Sequence, residues 1–205
     1  MEIELKYLAD KEAFENILAD EEIKGMLVDE TYEVFQMRAT YFDTEDKNLR
    51  QHRIAVRARH ENDEVVATVK WGGGTREGLH VRGEYNVVVD EKFAENPDIK
   101  ALKDCEVYEQ IVDIMEGKEL KPIVGTYFMR TQVHIDTGKS VSVISYDDGM
   151  IRAAGRIAPI SEIELEFISG DTDDMLKLGE KLAGRFGLQP EDKSKFRRGL
   201  ELHIK

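Results

Sequence analysis

Charged residues occupy every second position in several short segments of this sequence. Glu2, Glu4 and Lys6 alternate with apolar residues, and the same alternation recurs at Arg57 with Arg59 and along the acidic segment 162–166. Carboxylates with no histidine or cysteine beside them form a hard oxygen site, which suits magnesium or manganese and not zinc. Arginine is favoured where phosphate oxygens need planar, multidentate recognition. These residue types predict metal-assisted chemistry on a phosphate compound.

The elements that position these residues follow from the spacing of apolar residues. A period of two predicts strands at residues 1–8, 33–43, 53–60, 65–71, 80–89, 123–135, 141–147, 160–168 and 199–204. Helical spacing predicts helices at residues 11–18, 98–115 and 172–186. Asp171 or Thr172 can cap the last of these helices, and Gly187 with Pro190 can end it. We therefore expect an α+β fold, mainly β, with helices covering one sheet of many strands.

The direction of the charged faces decides what this sheet can do. The opposite faces of the same strands carry the apolar residues Ile3, Leu5, Ile54, Val56, Ile163 and Leu165. If covering helices bury those apolar faces and the sheet closes, the charged faces must line the interior of a barrel. The alternative is an ordinary half-buried strand whose charged face meets water. The alternation by itself leaves both arrangements open.

Composition restricts the class of protein. The 205 residues fit one compact domain spanning 1–205. A formal net charge of -13 argues against a chain that coats nucleic acid or anionic lipid. The single Cys105, interpreted as core packing, and the lack of an apolar leader predict a cytoplasmic protein with no membrane partner. Monomer and homodimer both remain open.

An ordered series of motifs extends along nearly the whole chain. It comprises Glu2-x-Glu4-x-Lys6, Tyr41-Phe42-Asp43-Thr44, Val56-Arg57-Ala58-Arg59, Thr68-Val69-Lys70, Arg82-Gly83-Glu84, Arg130, Tyr146-Asp147-Asp148-Gly149, Ser161-Glu162-Ile163-Glu164-Leu165-Glu166 and Ser194-Lys195-Phe196-Arg197-Arg198-Gly199. By this series the chain resembles the CYTH domain family, the triphosphate tunnel metalloenzymes. The resemblance implies an eight-stranded antiparallel closed β-barrel, a tunnel with a charged lumen.

The resemblance also implies roles for the matched residues. The metal ligands would be Glu2, Glu4, Asp147, Glu162 and Glu164. The residues that hold phosphate would be Lys6, Arg57, Arg59, Lys70, Arg82, Arg130 and Lys195, with Glu84 supporting these bases or facing metal. Catalysis would depend most directly on Glu2, Glu4, Lys6 and Glu164. Whether Asp148 and Glu166 join the site stays open.

The activity implied is hydrolysis of a triphosphate with Mg²⁺, or alternatively Mn²⁺. The family also contains enzymes for thiamine triphosphate and class IV adenylate cyclases, which convert ATP to cyclic AMP. Because the sequence has no clear adenine-reading motif, we expect inorganic triphosphate as substrate, with cyclisation as the alternative. A non-catalytic module that binds polyphosphate or a nucleotide is a further alternative. Such a module would lack the metal-binding acids, which are present here.

Two other features receive no catalytic role. Gly72-Gly73-Gly74 is not followed by Gly-Lys-Ser or Gly-Lys-Thr, so it indicates a hairpin tip and not a phosphate loop. Trp71 ends a predicted strand and is expected to pack at the barrel rim, with stacking on a base as the alternative.

Overall fold

The computed structural model describes residues 1–29 and 32–204. Its strands are β1 (Glu2–Leu8), β2 (Glu33–Asp43), β3 (Ile54–Glu61), β4 (Glu64–Arg76), β5 (Leu79–Val89), β6 (Lys121–Asp136), β7 (Ser140–Ala153), β8 (Arg156–Gly170) and β9 (Gln189–Pro190). Its α-helices are α1 (Lys11–Ala19), α2 (Glu21–Lys24), α3 (Asn48–Gln51), α4 (Glu91–Glu95), α5 (Tyr108–Met115), α6 (Thr172–Phe186) and α7 (Lys195–Glu201). A 3-10 turn at Ile99–Leu102 precedes α5.

Eight of the strands close into an antiparallel barrel. The order around the sheet is β5-β4-β3-β2-β6-β7-β8-β1, and β1 also pairs with β5. The short β9 adds to the outside of this ring by pairing with β1. In the closing pairs, Glu2 lies opposite Arg82 and Lys6 lies opposite Glu164. The predicted eight-stranded closed barrel is therefore confirmed.

The apolar faces of the strands point outward, beneath the helices. Leu5 and Leu165 pack with Met175 and Leu182 of α6. On the other side of the barrel, strands β3 and β4 pack under α5 and the 3-10 turn in a second apolar cluster. Because side chains alternate across a strand, the charged faces of the same strands must point into the barrel. This arrangement confirms the predicted charged lumen.

The carboxyl-terminal segment forms a helix, so the predicted strand at residues 199–204 is wrong. Ser194 caps α7 by accepting a hydrogen bond from the Arg197 amide. Phe196 and Leu200, four residues apart on one helical face, pack in an apolar cluster at the end of the barrel. Gly199 faces Val124, whose Cγ1 lies 2.3 Å from where a Cβ at position 199 would stand. Over six residues, alternation and helical spacing are not distinguishable.

The predicted helix at 98–115 is also wrong in part. The chain forms the 3-10 turn, bends at residues 103–107 and resumes as α5. Leu102, Cys105 and Ile111 are all buried in one apolar cluster, which explains the helix-like spacing of apolar residues. Cys105 packs in the apolar core, as expected.

The predicted helix at 172–186 matches α6 at both ends. The Asp171 side chain accepts a hydrogen bond from the Asp173 amide, and Gly187 ends the helix with φ 66°. A capping residue and a glycine stop are strong boundary signals, and here both are present. Within the described part of the chain, no helix combines the length and the apolar character needed to span a membrane.

Candidate active site

The barrel encloses a cavity of about 380 Å³, here called the lumen. The charged residues predicted for the site that line it are Glu2, Glu4, Lys6, Arg57, Arg59, Lys70, Arg82, Glu84, Arg130, Glu164 and Lys195. The remaining two, Asp147 and Glu162, are fully buried at its wall, where both contact Lys195. Closure of the sheet therefore brings eleven of the thirteen predicted site residues to one cavity, and the other two lie directly behind Lys195.

Three carboxylates form a compact cluster on β7 and β8. Asp147, Glu162 and Glu164 each place one carboxylate oxygen within 4.8 Å of the others. Asp147 lies opposite Glu162 across the two strands, and Glu164 follows two residues later on the same face. We call these three residues the acid cluster. Buried oxygen donors at this spacing fit Mg²⁺ or Mn²⁺, because both ions prefer carboxylate ligands.

Four basic side chains surround the acid cluster. Arg130 donates two hydrogen bonds of 2.7 Å to the Asp147 carboxylate and one of 2.5 Å to Glu164. The Lys195 ammonium lies 2.6 Å from Asp147 and 2.9 Å from Glu164. The other two are Lys6, which contacts Glu162 and Glu164, and Arg198, which contacts Glu162.

These basic groups determine the charge state of the acids. Burial by itself raises the pKa of Glu164, but Lys195, Lys6 and Arg130 outweigh it and hold that pKa well below its ordinary range. The same opposition between burial and the neighbouring Lys195 and Lys6 lowers the pKa of Glu162. Both carboxylates are therefore ionised at neutral pH.

The other two predicted metal ligands lie outside the acid cluster. Glu2 contacts Lys70 at 2.7 Å and Arg82 at 2.5 Å. Glu4 accepts a hydrogen bond of 3.1 Å from Arg82 and lies 3.7 Å from the Lys6 ammonium. Lys6 thus connects Glu4 to the acid cluster. The five predicted acids are therefore divided into a compact group of three and a pair held by basic residues.

Glu84 contacts a basic residue, Lys70, which corresponds to one of the two roles predicted for it. Its carboxylate lies 2.8 Å from the Lys70 ammonium and also accepts a hydrogen bond from Asn86. This pair holds Lys70 at the lumen wall.

The opposite wall presents basic groups with unused donors. Arg57 donates to the Thr68 hydroxyl at 3.0 Å, and its guanidinium lies over the Tyr41 ring. The Nε atoms of Arg57 and Arg59 are buried and have no hydrogen-bond partner. Burial, together with the charge of Arg57, lowers the pKa of Arg59 to about 10. Two guanidinium groups side by side on this wall suit the binding of an anion.

The structure also answers the two questions left open by the sequence. Asp148 is exposed on the outer face of β7, so of the two neighbours only Asp147 faces the interior. Glu166 lines the lumen opposite Glu4. Burial raises the pKa of Glu166 to about 7, and the carboxylates of Glu4, Glu164 and Glu2 add to the effect.

Sequence reasoning missed Arg198 and Tyr41. Arg198 lies one helical turn after Lys195, so a helix brings both side chains to Glu162. The spacing was available in the sequence but was hidden by the prediction of a nearby strand. Tyr41 lines the lumen beside Arg57 and stacks on Phe196 with ring centroids 4.9 Å apart.

Two comparisons, one with family models and one with individual protein sequences, found similar proteins. A family model described as CYTH domain matches residues 1–200. The chain is similar to an inorganic triphosphatase of Haemophilus influenzae, with 34% identity over 166 residues. The match covers 81% of this chain and 46% of that protein, so the chain spans about half the length of this curated relative.

Solved structures share the fold. A Hippeastrum protein with an adenylyl cyclase assignment and a dominant triphosphatase activity superimposes with a TM-score of 0.68 at 19% identity, covering 96% of this chain and 93% of its own. A Bacillus halodurans protein assigned as an adenylate cyclase gives a TM-score of 0.59 at 21% identity, covering 97% of this chain and 96% of its own. At these identities the likeness establishes the fold alone.

Proposed function

Since this chain belongs to the CYTH domain family, we propose that it hydrolyses a triphosphate, preferring inorganic triphosphate and releasing pyrophosphate and phosphate. The observation that carries the proposal is the lumen itself. Arg57 and Arg59 line the cavity, and Glu164 of the acid cluster lines the same cavity from the opposite wall. The similarity to an inorganic triphosphatase supports this choice of substrate.

The basic residues of the lumen would bind and orient the phosphates. Phosphoryl transfer asks little covalent chemistry of the protein, so positioning and charge stabilisation supply most of the catalysis. Arg57, Arg59 and Arg130 present planar donors suited to phosphate oxygens. Lys6, Lys70, Arg82 and Lys195 would add positive charge along the same bore.

The acid cluster would hold one divalent cation, Mg²⁺ or Mn²⁺. Its oxygen donors and their spacing fit such an ion. Glu2 and Glu4 are assigned to the same ligand set on the family resemblance. When bound, the ion would neutralise phosphate oxygens and activate water for attack.

Hydrolysis is preferred over ATP cyclisation on the contents of the site. Cyclisation needs a pocket that fixes the nucleobase and ribose, whereas hydrolysis needs only water. About half of the residues that line the lumen are charged, and such side chains suit phosphates better than a nucleobase.

A product assay tests the proposal. Purified protein is given inorganic triphosphate, ATP and thiamine triphosphate in parallel with Mg²⁺ or Mn²⁺, and phosphate, pyrophosphate and cyclic AMP are measured. We expect equal amounts of phosphate and pyrophosphate from inorganic triphosphate, and loss of both with EDTA. Cyclic AMP as the main product would favour the cyclase. Tight binding of substrate without any product would favour a non-catalytic binding module.

A further inference from the structure

A second cavity, of about 510 Å³, opens at one end of the barrel, and we call it the vestibule. Its lining shares Ala55, Lys70, Arg82, Ser194 and Phe196 with the lumen. Two cavities that share five wall residues are adjacent along that wall. A chain-like ligand that leaves the lumen past these residues would enter the vestibule.

The vestibule carries positive charge that the protein does not neutralise. Arg53 and Arg197 are exposed there, and among the described residues neither side chain makes an ion pair or a hydrogen bond. By contrast, Arg50 is held 2.7 Å from Asp43. The lining contains one acid, Asp192, whose carboxylate accepts a hydrogen bond from the Gly78 amide. In a chain of net charge -13, two free guanidinium groups at one opening form a local anion-attracting site.

The glycines at the end of β4 keep this opening wide. The register of β4 against β5 shifts between Trp71 and Gly74, and Gly72 has a φ of 60°. A Cβ added at Gly72 or Gly74 would meet no atom within 4 Å, so side chains there would project into open space. The hairpin tip predicted at residues 72–74 is therefore wrong: these glycines form a bulge inside β4, and the β4–β5 turn lies at residues 77–78. The bulge lines the vestibule.

The aromatic groups of the vestibule are already engaged in packing. Phe196 stacks on Tyr41. Trp71 lies against Gly83, where an added Cβ would fall 2.3 Å from the indole. The guanidinium groups of Arg53 and Arg197 are left free, and they suit additional phosphate groups better than a stacked nucleobase.

We infer that the vestibule binds the phosphates of a linear polyphosphate beyond the third, with Arg53 and Arg197 as their ligands. The inference rests on the proposed function, because the first three phosphates would occupy the lumen. Lys70 and Arg82 line both cavities and would contact the chain where it crosses between them. Substrates longer than triphosphate would then gain affinity from the vestibule.

The test compares two ligand lengths in one double variant. Binding of inorganic triphosphate and of a medium-length linear polyphosphate is measured by titration calorimetry with Ca²⁺, and hydrolysis of both is followed with Mg²⁺. In Arg53→Gln/Arg197→Gln we expect polyphosphate binding to weaken about tenfold or more, and triphosphate binding by less than about threefold. The control Arg38→Gln/Arg152→Gln removes the same charge from exposed positions outside the lumen and should change neither.

The outcomes separate this inference from the proposed function. Equal loss of affinity for both ligands, or no loss for polyphosphate, would overturn the vestibule assignment. Failure to hydrolyse triphosphate with Mg²⁺, combined with the length-dependent loss of binding, would overturn the proposed function and support the vestibule.

Discussion

The ammonium nitrogen of Lys195 lies 2.6 Å from a carboxylate oxygen of Asp147, inside the group of acids assigned to the metal ion. The same nitrogen lies 2.9 Å from Glu164 and contacts Glu162. A lysine in this position competes with a divalent cation for the same three carboxylates. Binding of metal and release of Lys195 toward the phosphates are then thermodynamically linked.

Replacement of Lys195 by methionine should raise the affinity for metal. Without the competing ammonium, we expect Mn²⁺ to bind about tenfold more tightly in the absence of triphosphate, and triphosphate itself to bind more weakly. Electron paramagnetic resonance of free Mn²⁺ measures the first effect. Lys193→Met, which removes a half-buried lysine paired with Glu201, is the matched control. Unchanged or weaker Mn²⁺ binding in Lys195→Met would argue against the competition.

Glu164→Gln should abolish most turnover while the barrel stays folded. Glutamine keeps the shape and one oxygen but removes the charge that the acid cluster offers to a cation. We expect kcat for triphosphate to fall by about 100-fold or more, the range seen when a main electrostatic contributor is removed. Phosphate release and circular dichroism measure the two properties, and Glu12→Gln on the exposed face of α1 is the control. Wild-type turnover in Glu164→Gln would remove this residue from the ligand set.

The raised pKa of Glu166 gives stability a defined pH dependence. Its pKa is about 7 in the folded protein against 4.5 ordinarily, so the folded state holds the proton more tightly. The contribution to stability is complete below about pH 4.5 and is lost as pH rises through 7. Relative to Glu166→Gln, wild type should lose roughly 1–3 kcal/mol of unfolding free energy between about pH 5 and pH 8.

Urea unfolding of both proteins across that range measures the difference. Other groups that titrate, such as His80 with its pKa lowered by burial, are common to both proteins and cancel. Parallel curves for the two proteins would contradict the assignment.

Gly199→Ala should displace α7. The added methyl would stand 2.3 Å from Val124 Cγ1, and a β-branched side chain on a strand cannot easily rotate away. We expect a loss of about 1–3 kcal/mol, typical of overpacking, measured by denaturant unfolding. The double variant Gly199→Ala/Val124→Ala should recover most of that loss. No recovery would show that the steric conflict lies elsewhere.

The lumen could be predicted from the sequence because each strand of a closed barrel has only two faces, one toward the interior and one toward the outside. Once helices cover the apolar residues on either side of Glu4 and Arg57, those side chains have only the interior to face. Helix α6 was predicted equally well, because Asp171 and Gly187 signal its two ends.

The division of the acids could not be predicted, because it depends on register between strands distant in sequence. Asp147 lies opposite Glu162, which brings acids together, whereas Glu2 lies opposite Arg82, which gives that acid a base. Helix α7 was missed for a local reason, since six alternating residues fit a strand as well as a helix. Because that helix was not predicted, the contact between Arg198 and Glu162 was missed as well.

The pairing of β1 with both β5 and β8 has a consequence for biosynthesis. Residues 2–8 pair with β5, which ends at Val89, but their second neighbour, β8, begins only at Arg156. Glu4 and Lys6 therefore meet Glu164 only after β8 has been synthesised. Ordering that depends on such distant partners is slow and late. A ribosome-bound fragment ending before Arg156 would lack Glu162 and Glu164, so we expect no triphosphate hydrolysis from it.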